Sequence, residues 1–516
     1  MDCPTIPHVA LESARTYGDK IVISTPGGEA IGYAELARRM EAAARAFIAA
    51  GVKRGDRVAI WAPNLDRWIV ATLGLQAAGA AVVPLNTRYK GREAAYILKK
   101  SRARILLTVG NFLGNDYPAM IAGEDVPCLE RVVLLDDDEA PNGWAAFLKE
   151  GEGVSREAYE ERLGSLDGED VCDILFTSGT TGNPKGVVTT HGQNIRCYDI
   201  YSRGLGLTSA DRLLSINPFF HSFGYKAGWL CAILRGATLF PVLSFDPAKA
   251  VDMLEEHKIS WLPGPPTIFT SLLDSPREGR DLSSLRLAVT GATTVPTVLI
   301  QRILDDLGFD RVVTAYGLSE TCGTVSMCEP DDDIETIAHT SGRAIPDMEV
   351  RTVGVDGRDV PAGEPGEIWV RGPNVMRGYL DDPVGTAEAI VEGGWLRTGD
   401  IGVMRADGCI SITDRAKDMF ICGGFNVYPA EIEQILIQHP EVAEVTVVGA
   451  PDDRLGEVGH AYIVARPGAA KDAKALIGWS RDNMANYKVP RTISFVEALP
   501  RNASGKVEKF KLRDAG

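Results

Sequence analysis

Short apolar runs rich in β-branched residues recur from about residue 20 to residue 320, separated by stretches with a helical pattern of apolar positions. RVAIWA (57–62) precedes a helical pattern near 65–79, and AAVVPL (80–85), RILLTV (104–109) and RVVLL (131–135) continue the series. LRLAVT (285–290) and RVVTAY (311–316) are later members. Such alternation predicts helices covering mostly parallel sheets. Between about 340 and 410 the texture changes to short strands with glycine-rich turns, including GEIWVRG (366–372) and CISITD (409–414), which suits a small β-rich subdomain. A third texture follows DRAKDMF (414–420). PAEIEQILIQHP (429–440) is helical with apolar Ile432, Ile435 and Leu436, EVTVVGA and HAYIVARP are strands, KDAKALIGWSRDNM is a helix, and RTISFVEAL is a last strand. The expected architecture is α/β. A large N-terminal part (1–416) holds two βα-layered subdomains plus the β-rich one, and residues 417–516 form a small α+β domain.

The strand pattern VCDILFT (171–177) runs into FTSGTTGNPKG (176–186), a loop hung from a strand end, where open α/β sheets bind ligands. It departs from a Walker A loop twice: Lys185 follows Pro184 instead of glycine, and Gly186 stands where a magnesium-binding hydroxyl would be. The physics of phosphate binding remains. Small residues let backbone N–H groups turn toward one anion, while Ser178, Thr180 and Thr181 add hydroxyl donors beside a lysine. The plainer reading is an ordinary Gly/Thr turn.

At 516 residues the chain exceeds one ordinary core. Its net charge of −16 argues against nucleic acid as a partner, because phosphate backbones demand basic stripes, but leaves room for a local electropositive nucleotide pocket. The nine cysteines form no C-x-x-C pair and no even set, which fits a reducing cytoplasm. MDCPTIPHVALESA lacks the basic-then-apolar pattern of a signal peptide, KLRDAG carries no peroxisomal address, and no apolar run approaches a membrane span.

Seven blocks, in order, now carry a resemblance: FTSGTTGNPKG, NPFFHSFG (217–224), TAYGLSET (314–321), GEIWVRGPNVMRGYL (366–380), WLRTGDIG (395–402), DRAKDMFICGGFNVYPAEIE (414–433) and LPRNASGKVEK (499–509). Together they resemble the adenylate-forming acyl-CoA synthetases, the superfamily that includes firefly luciferase and peptide-synthetase adenylation domains. The resemblance implies a large adenylation part and a small mobile C-terminal domain, with ATP and coenzyme A as co-substrates and Mg²⁺ as cofactor. A carboxylate would attack the α-phosphorus of ATP, and charge neutralisation is the main task.

On that resemblance, Thr177, Ser178, Gly179, Thr180, Thr181, Gly182 and Lys185 hold the leaving phosphates. Gly291 and Ala292 form the turn against adenine, Tyr316 of the Tyr316-Gly317 pair stacks on it, Ser319 reaches a phosphate and Glu320 holds Mg²⁺. Many relatives have threonine where this chain has Ser319, which keeps the hydroxyl. Asp400 and Arg415 contact the ribose, and Lys506 bridges the incoming carboxylate and the α-phosphate. Lys417 matches the hinge, and Gly423 and Gly424 line a pantetheine tunnel. Read alone, Glu320 is a solvated acid, Asp400 a turn or helix cap, and Lys506 a solvated charge in a polar tail.

SINPFFHSFGYKAGWLCAIL (215–234) is expected to line the acid pocket through Phe220, His221, Phe223, Tyr225 and Lys226, with Phe219 and Trp229 adding apolar bulk and His221 as a gate. The segment has no Asp or Glu to pair with an ammonium group, so an amino acid substrate is disfavoured. Lys226 has two readings: its head reaches water along an apolar stem, or it donates to a ketone or hydroxyl of the acid. NPFFHSFGYKAG, WLPGPPTIFTSLLD (261–274) and LAVTGATTVPTVLI (287–300) are similar to the actinobacterial CoA ligases for the bicyclic keto-indane propanoate left by steroid degradation. The alternatives are a fatty acid or arylpropanoate CoA ligase, an acyl-AMP ligase loading a carrier protein, a luciferase-like oxygenase, and a non-catalytic binding protein, which would be expected to lack Glu320, Asp400 or Lys506. A homodimer is an assembly the resemblance allows.

Overall fold

The computed structural model describes residues 3–177, 184–291, 295–415, 418–422, 425–427, 429–452, 455–484, 486–501 and 507–513. It divides into two compact units, one of residues 1–349 with 370–396, the other of 350–369 with 397–516.

The first unit holds two large sheets. One has nine strands, ordered Arg343–Ala344, Ser326–Met327, Arg311–Tyr316, Leu287–Gly291, Trp261–Pro263, Arg212–Ser215, Thr238–Pro241, Ile21–Ser24 and Ala30–Gly32. Its interior pairings, from Arg311–Tyr316 across to Ile21–Ser24, are all parallel. The other has seven, ordered Gly378–Tyr379, Lys185–Thr190, Val171–Thr177, Ala81–Pro84, Arg57–Trp61, Ile105–Thr108 and Arg131–Leu134. It is parallel from Val171–Thr177 to Arg131–Leu134, with antiparallel pairs only at the other edge. The alternating pattern therefore yields the expected parallel layers, with strand bounds within a residue or two of the apolar runs.

Helices cover these sheets. Asp66–Ala77 is buried at every position from Trp68 to Ala77, which is why its sequence, RWIVATLGLQA, shows no polar face. It approaches helix Tyr33–Ala49 closely enough that a Cβ on Gly74 would meet the Ala43 methyl at 2.4 Å. Only glycine fits there.

In the second unit, strands Pro365–Arg371 and Ile410–Arg415 lie on either side of Trp395–Met404. The second part of this unit pairs Val442–Asp452 with Gly456–Ala465 antiparallel, and the latter with Thr492–Phe495 in parallel. Helices Pro429–Leu436 and Ala473–Asn483 contribute Ile432, Leu436 and Leu476 to a core with Phe420, Val447 and Ile463. The elements expected after residue 420 are all present. The β-rich segment is shared between the units: residues 350–369 and 397–410 group with the C-terminal residues, and 340–349 and 370–396 with the first unit. Strand Trp395–Met404 pairs antiparallel with Ile410–Arg415. The expected hinge, Lys417, lies outside the described residues.

Candidate functional site

Strand ends of both sheets in the first unit carry the candidate residues. In the nine-stranded sheet Gly291 ends one parallel strand, with Ala315 of the next as its register partner and Tyr316 one residue beyond. Gly291 has φ +159°, and a Cβ there would stand 2.8 Å from the Ala315 carbonyl oxygen, so the backbone is open at this point only because the residue is glycine. Gly317 is exposed, Tyr316, Ser319 and Glu320 are half-buried, and residues Ser319–Thr321 form a single 3₁₀ turn. Two strands away, Arg212–Ser215 leads into Asn217-Pro218-Phe219-Phe220-His221.

This last loop is pinned by buried amides. Asn64, just past strand Arg57–Trp61 of the other sheet, donates to the carbonyls of Ser215 (3.3 Å) and Asn217 (2.9 Å) and accepts from the Phe219 N–H (2.8 Å). Asn217 donates to the Pro263 carbonyl at 2.9 Å. These bonds tie the carboxyl ends of the two sheets together, in the position where α/β sheets bind ligands.

In the seven-stranded sheet Val171–Thr177 and Lys185–Thr190 form an antiparallel hairpin in which Thr177 and Lys185 are register partners, with residues 178–184 between them. Gly186 is a packing requirement, since a Cβ would stand 2.9 Å from Ile174 and 3.2 Å from Leu380. The Lys185 ammonium lies 4.8 Å from the centre of the Tyr379 ring and 3.6 Å from the Asp382 carboxylate. The Tyr379 hydroxyl in turn donates to Glu320 Oε1 at 2.9 Å. Burial, reinforced by the Glu320 carboxylate, pushes the Tyr379 pKa well above its ordinary value, so the phenol stays a donor. Sequence reasoning gave Tyr379 and Asp382 no role. The only signal was their position at the end of the quoted block GEIWVRGPNVMRGYL and just after it.

His221 keeps solvent-accessible surface, yet the protein around it lowers its pKa by desolvation, as expected of a ring in a recess. Its Nδ1 accepts the Phe223 N–H at 3.1 Å, which leaves the proton of the neutral ring on Nε2. Phe220 and Phe223 are half-buried beside it.

Tyr225 and Lys226 correct the expectation. Both are fully buried within a π-helical turn, Tyr225–Leu230, and line no open pocket. Tyr225 stacks on Trp229 (4.8 Å between centres), Trp229 and Phe219 pack edge-on against Trp68, and the Tyr225 hydroxyl accepts from Gln76 at 3.0 Å. The Lys226 head reaches neither water nor a ligand position: its ammonium donates to Asp173 Oδ1 (3.0 Å) and Thr189 Oγ1 (3.1 Å), and both charged side chains are 0% exposed. Burial is the largest single influence and would lower the Lys226 pKa, but the Asp173 carboxylate together with Cys322 and Cys172 outweighs it and holds the ammonium above its ordinary value. Asp173 also accepts from Thr189 (2.7 Å), Asn194 (3.1 Å) and the Cys172 thiol (3.1 Å). The physical reason is that a lone acid in the buried strand VCDILFT and a lone lysine in a buried helix are each costly until they meet. The acid in that strand was the available signal.

In the second unit Asp400 is 5% exposed, and its backbone is the register partner of Arg415 in one antiparallel strand pair. Ser178, Gly179, Thr180, Thr181, Gly182, Ala292, Lys417, Gly423, Gly424 and Lys506 lie outside the described residues. Among the described residues no disulfide forms and no helix is long and apolar enough to cross a membrane.

Comparison with known proteins agrees with this geometry. The AMP-binding enzyme family matches residues 11–380, and the AMP-binding enzyme C-terminal domain matches 431–506. The chain is 50% identical over 483 residues, 93% of each protein, to a 3-[(3aS,4S,7aS)-7a-methyl-1,5-dioxo-octahydro-1H-inden-4-yl]propanoyl:CoA ligase of Mycobacterium tuberculosis. It is 45% identical to the Rhodococcus jostii ligase of the same description, covering 99% of this chain and 98% of that one. Among solved structures, ATP-bound MatB from Rhodopseudomonas palustris superposes with a TM-score of 0.86 at 28% identity over 99% of both chains. The chain belongs to the AMP-binding enzyme family, and within it to the adenylate-forming ligases that join a carboxylic acid to coenzyme A with cleavage of ATP to AMP.

Proposed function

We propose that the acid is the bicyclic keto-indane propanoate acted on by the two relatives at 50% and 45% identity, and that identity over nearly the whole chain is the observation that carries the reading. The accessible part of the acid segment suits it: Phe220 and Phe223 offer apolar faces beside His221, and residues 215–234 contain no carboxylate.

In the first half-reaction a carboxylate oxygen of the acid bonds to the α-phosphorus and the bond to the β-phosphate bridging oxygen breaks, releasing pyrophosphate. Lys185 and the loop before it take the leaving phosphates, Tyr316 and Gly291 take the adenine, and Asp400 with Arg415 takes the ribose. Lys506 stabilises the charge that builds between carboxylate and α-phosphate, and loss of one such donor costs on the order of 10²–10³ in rate. Glu320 is the residue that would hold Mg²⁺, which supplies charge neutralisation on the phosphates. The donor fits: one half-buried carboxylate suits an ion whose other positions are filled by phosphate oxygens and water. In the second half-reaction the coenzyme A sulfur attacks the acyl carbon and AMP leaves. Rotation about Lys417 would bring Gly423 and Gly424 to the pantetheine path.

The test is nucleotide product analysis with Mg-ATP, coenzyme A and a panel of acids: the keto-indane propanoate, octanoate and a hydroxycinnamate. AMP and a matching acyl-CoA with the first acid are expected. A higher kcat/KM with octanoate or the hydroxycinnamate would overturn the substrate, and ADP as product would overturn the reaction.

A further inference from the structure

The side chain of Tyr379 touches two groups of the candidate nucleotide site at once. Its hydroxyl donates to Glu320 Oε1 at 2.9 Å, and its ring faces the Lys185 ammonium at 4.8 Å. The backbone on which it sits is closely held. Tyr379 is the register partner of Val187, with Arg377 N–H donating to the Val188 carbonyl (2.9 Å) and Leu380 N–H to the Gly186 carbonyl (2.7 Å). The next turn fixes it from the other side: the Tyr379 N–H donates to Thr386 Oγ1 at 2.9 Å, and Gly378 packs so closely on Thr386 that a Cβ would stand 2.8 Å from it. The Glu320 backbone joins the same arrangement, its carbonyl accepting the Met376 N–H at 2.8 Å.

We propose that Tyr379 is a positioning residue that sets the Glu320 carboxylate and the Lys185 ammonium in register for a metal-bound triphosphate. The proposal rests on the nucleotide reading given above and adds a residue to it. A carboxylate on a 3₁₀ turn and a lysine at the start of a strand from another sheet are joined at their backbones by the segment 376–380, which bonds to both turn and strand, but that leaves the spacing of their side-chain ends unset. One aromatic side chain, donating at its tip and offering its π-face to a cation, spans both. Asp382, 3.6 Å from Lys185, holds the same ammonium where the triphosphate would compete for it.

The test separates the two ends of the ring. In the full-length protein, binding of Mg-ATP and of ATP in EDTA is measured by titration calorimetry, without the acid or coenzyme A. Tyr379→Phe keeps the ring and removes the donor. Mg-ATP should bind about 10-fold more weakly, the size of one charge-assisted hydrogen bond, with metal-free ATP within about 2-fold of wild type. Tyr379→Leu should weaken metal-free ATP as well, by about 3-fold, because Lys185 loses its aromatic face. On a Glu320→Gln background Tyr379→Phe should add nothing to the loss of Mg-ATP affinity. Equal weakening of both nucleotide forms by Tyr379→Phe, or an additive effect on the Glu320→Gln background, would overturn the positioning role. Wild-type protein that binds no Mg-ATP would instead overturn the nucleotide reading beneath it.

Discussion

Lys226→Met breaks the buried pair at the centre of the first unit. Methionine fills most of the lysine volume, so the main loss is the ammonium, and Asp173 is left as a carboxylate at 0% exposure with Thr189, Asn194 and Cys172 as its remaining neighbours. Removing one member of a fully buried pair costs about 3–5 kcal/mol, because the survivor is stranded in low dielectric. Replacing both, as Lys226→Met with Asp173→Asn, removes the stranded charge and should restore most of that, leaving a coupling energy of about 2–3 kcal/mol between the sites. Urea unfolding followed by tryptophan fluorescence is the assay. Six of the eight tryptophans (Trp61, Trp68, Trp144, Trp229, Trp261 and Trp395) lie in the first unit, so the signal reports chiefly its transition in a chain that need not unfold in one step. Selectivity between keto and deoxo acids should stay at the wild-type ratio, since the ammonium faces the core. A single-mutant cost below about 1 kcal/mol, or a double mutant as weak as the sum of the singles, would refute the buried-pair account. The pH signature follows from the raised pKa. The contribution of Lys226 is fully present below its ordinary value of 10.5 and is lost as pH rises through the higher value of the folded state.

Other expectations follow from the same structure. His191 is buried, its Nδ1 accepts the Ile6 N–H at 3.2 Å, and desolvation lowers its pKa to about 3. The unfolded chain therefore binds the extra proton first, so stability holds above pH 6.5 and falls as pH drops from there toward 3, by up to about 5 kcal/mol. His191→Asn should flatten that acid limb in urea titrations across pH. Lys506→Ala should lower acyl-AMP formation by about 10²–10³ while sparing thioester formation from supplied acyl-AMP, and Lys417→Pro should do the reverse. Equal losses in both half-reactions, read by pyrophosphate release and acyl-CoA yield, would reject that division. Burial pushes the thiols of Cys172, Cys197 and Cys231 up and that of Cys322 to about 12. Iodoacetamide should thus label native protein at half-buried Cys3 and Cys128 and spare these four, as peptide mass spectrometry would report.

Local pattern was enough for the element types, and the physical reason is that burial itself is periodic. RVVTAY coincides with strand Arg311–Tyr316 and VCDILFT with Val171–Thr177 because each is an apolar run of strand length ended by small or polar residues. The position of FTSGTTGNPKG at a strand end was legible in the same way, whereas Glu320, Asp400 and Arg415 were singled out only by the resemblance of their blocks. Lys226 was not. A lysine in an apolar run announces that something unusual holds it, but its partner sits 53 residues earlier on a strand of another element. Tyr379 was not legible either, since its hydroxyl meets a carboxylate 59 residues earlier and its ring meets a lysine on the neighbouring strand. By itself the sequence determined which segments are strands and helices, where a glycine-rich loop follows a strand, and which side chains are candidates for the chemistry. The tertiary structure alone decided which charges face one another and which aromatic residues of 215–234 pack into the core. Hydropathy records that a residue is buried, whereas the identity of its partner depends on how distant segments pack.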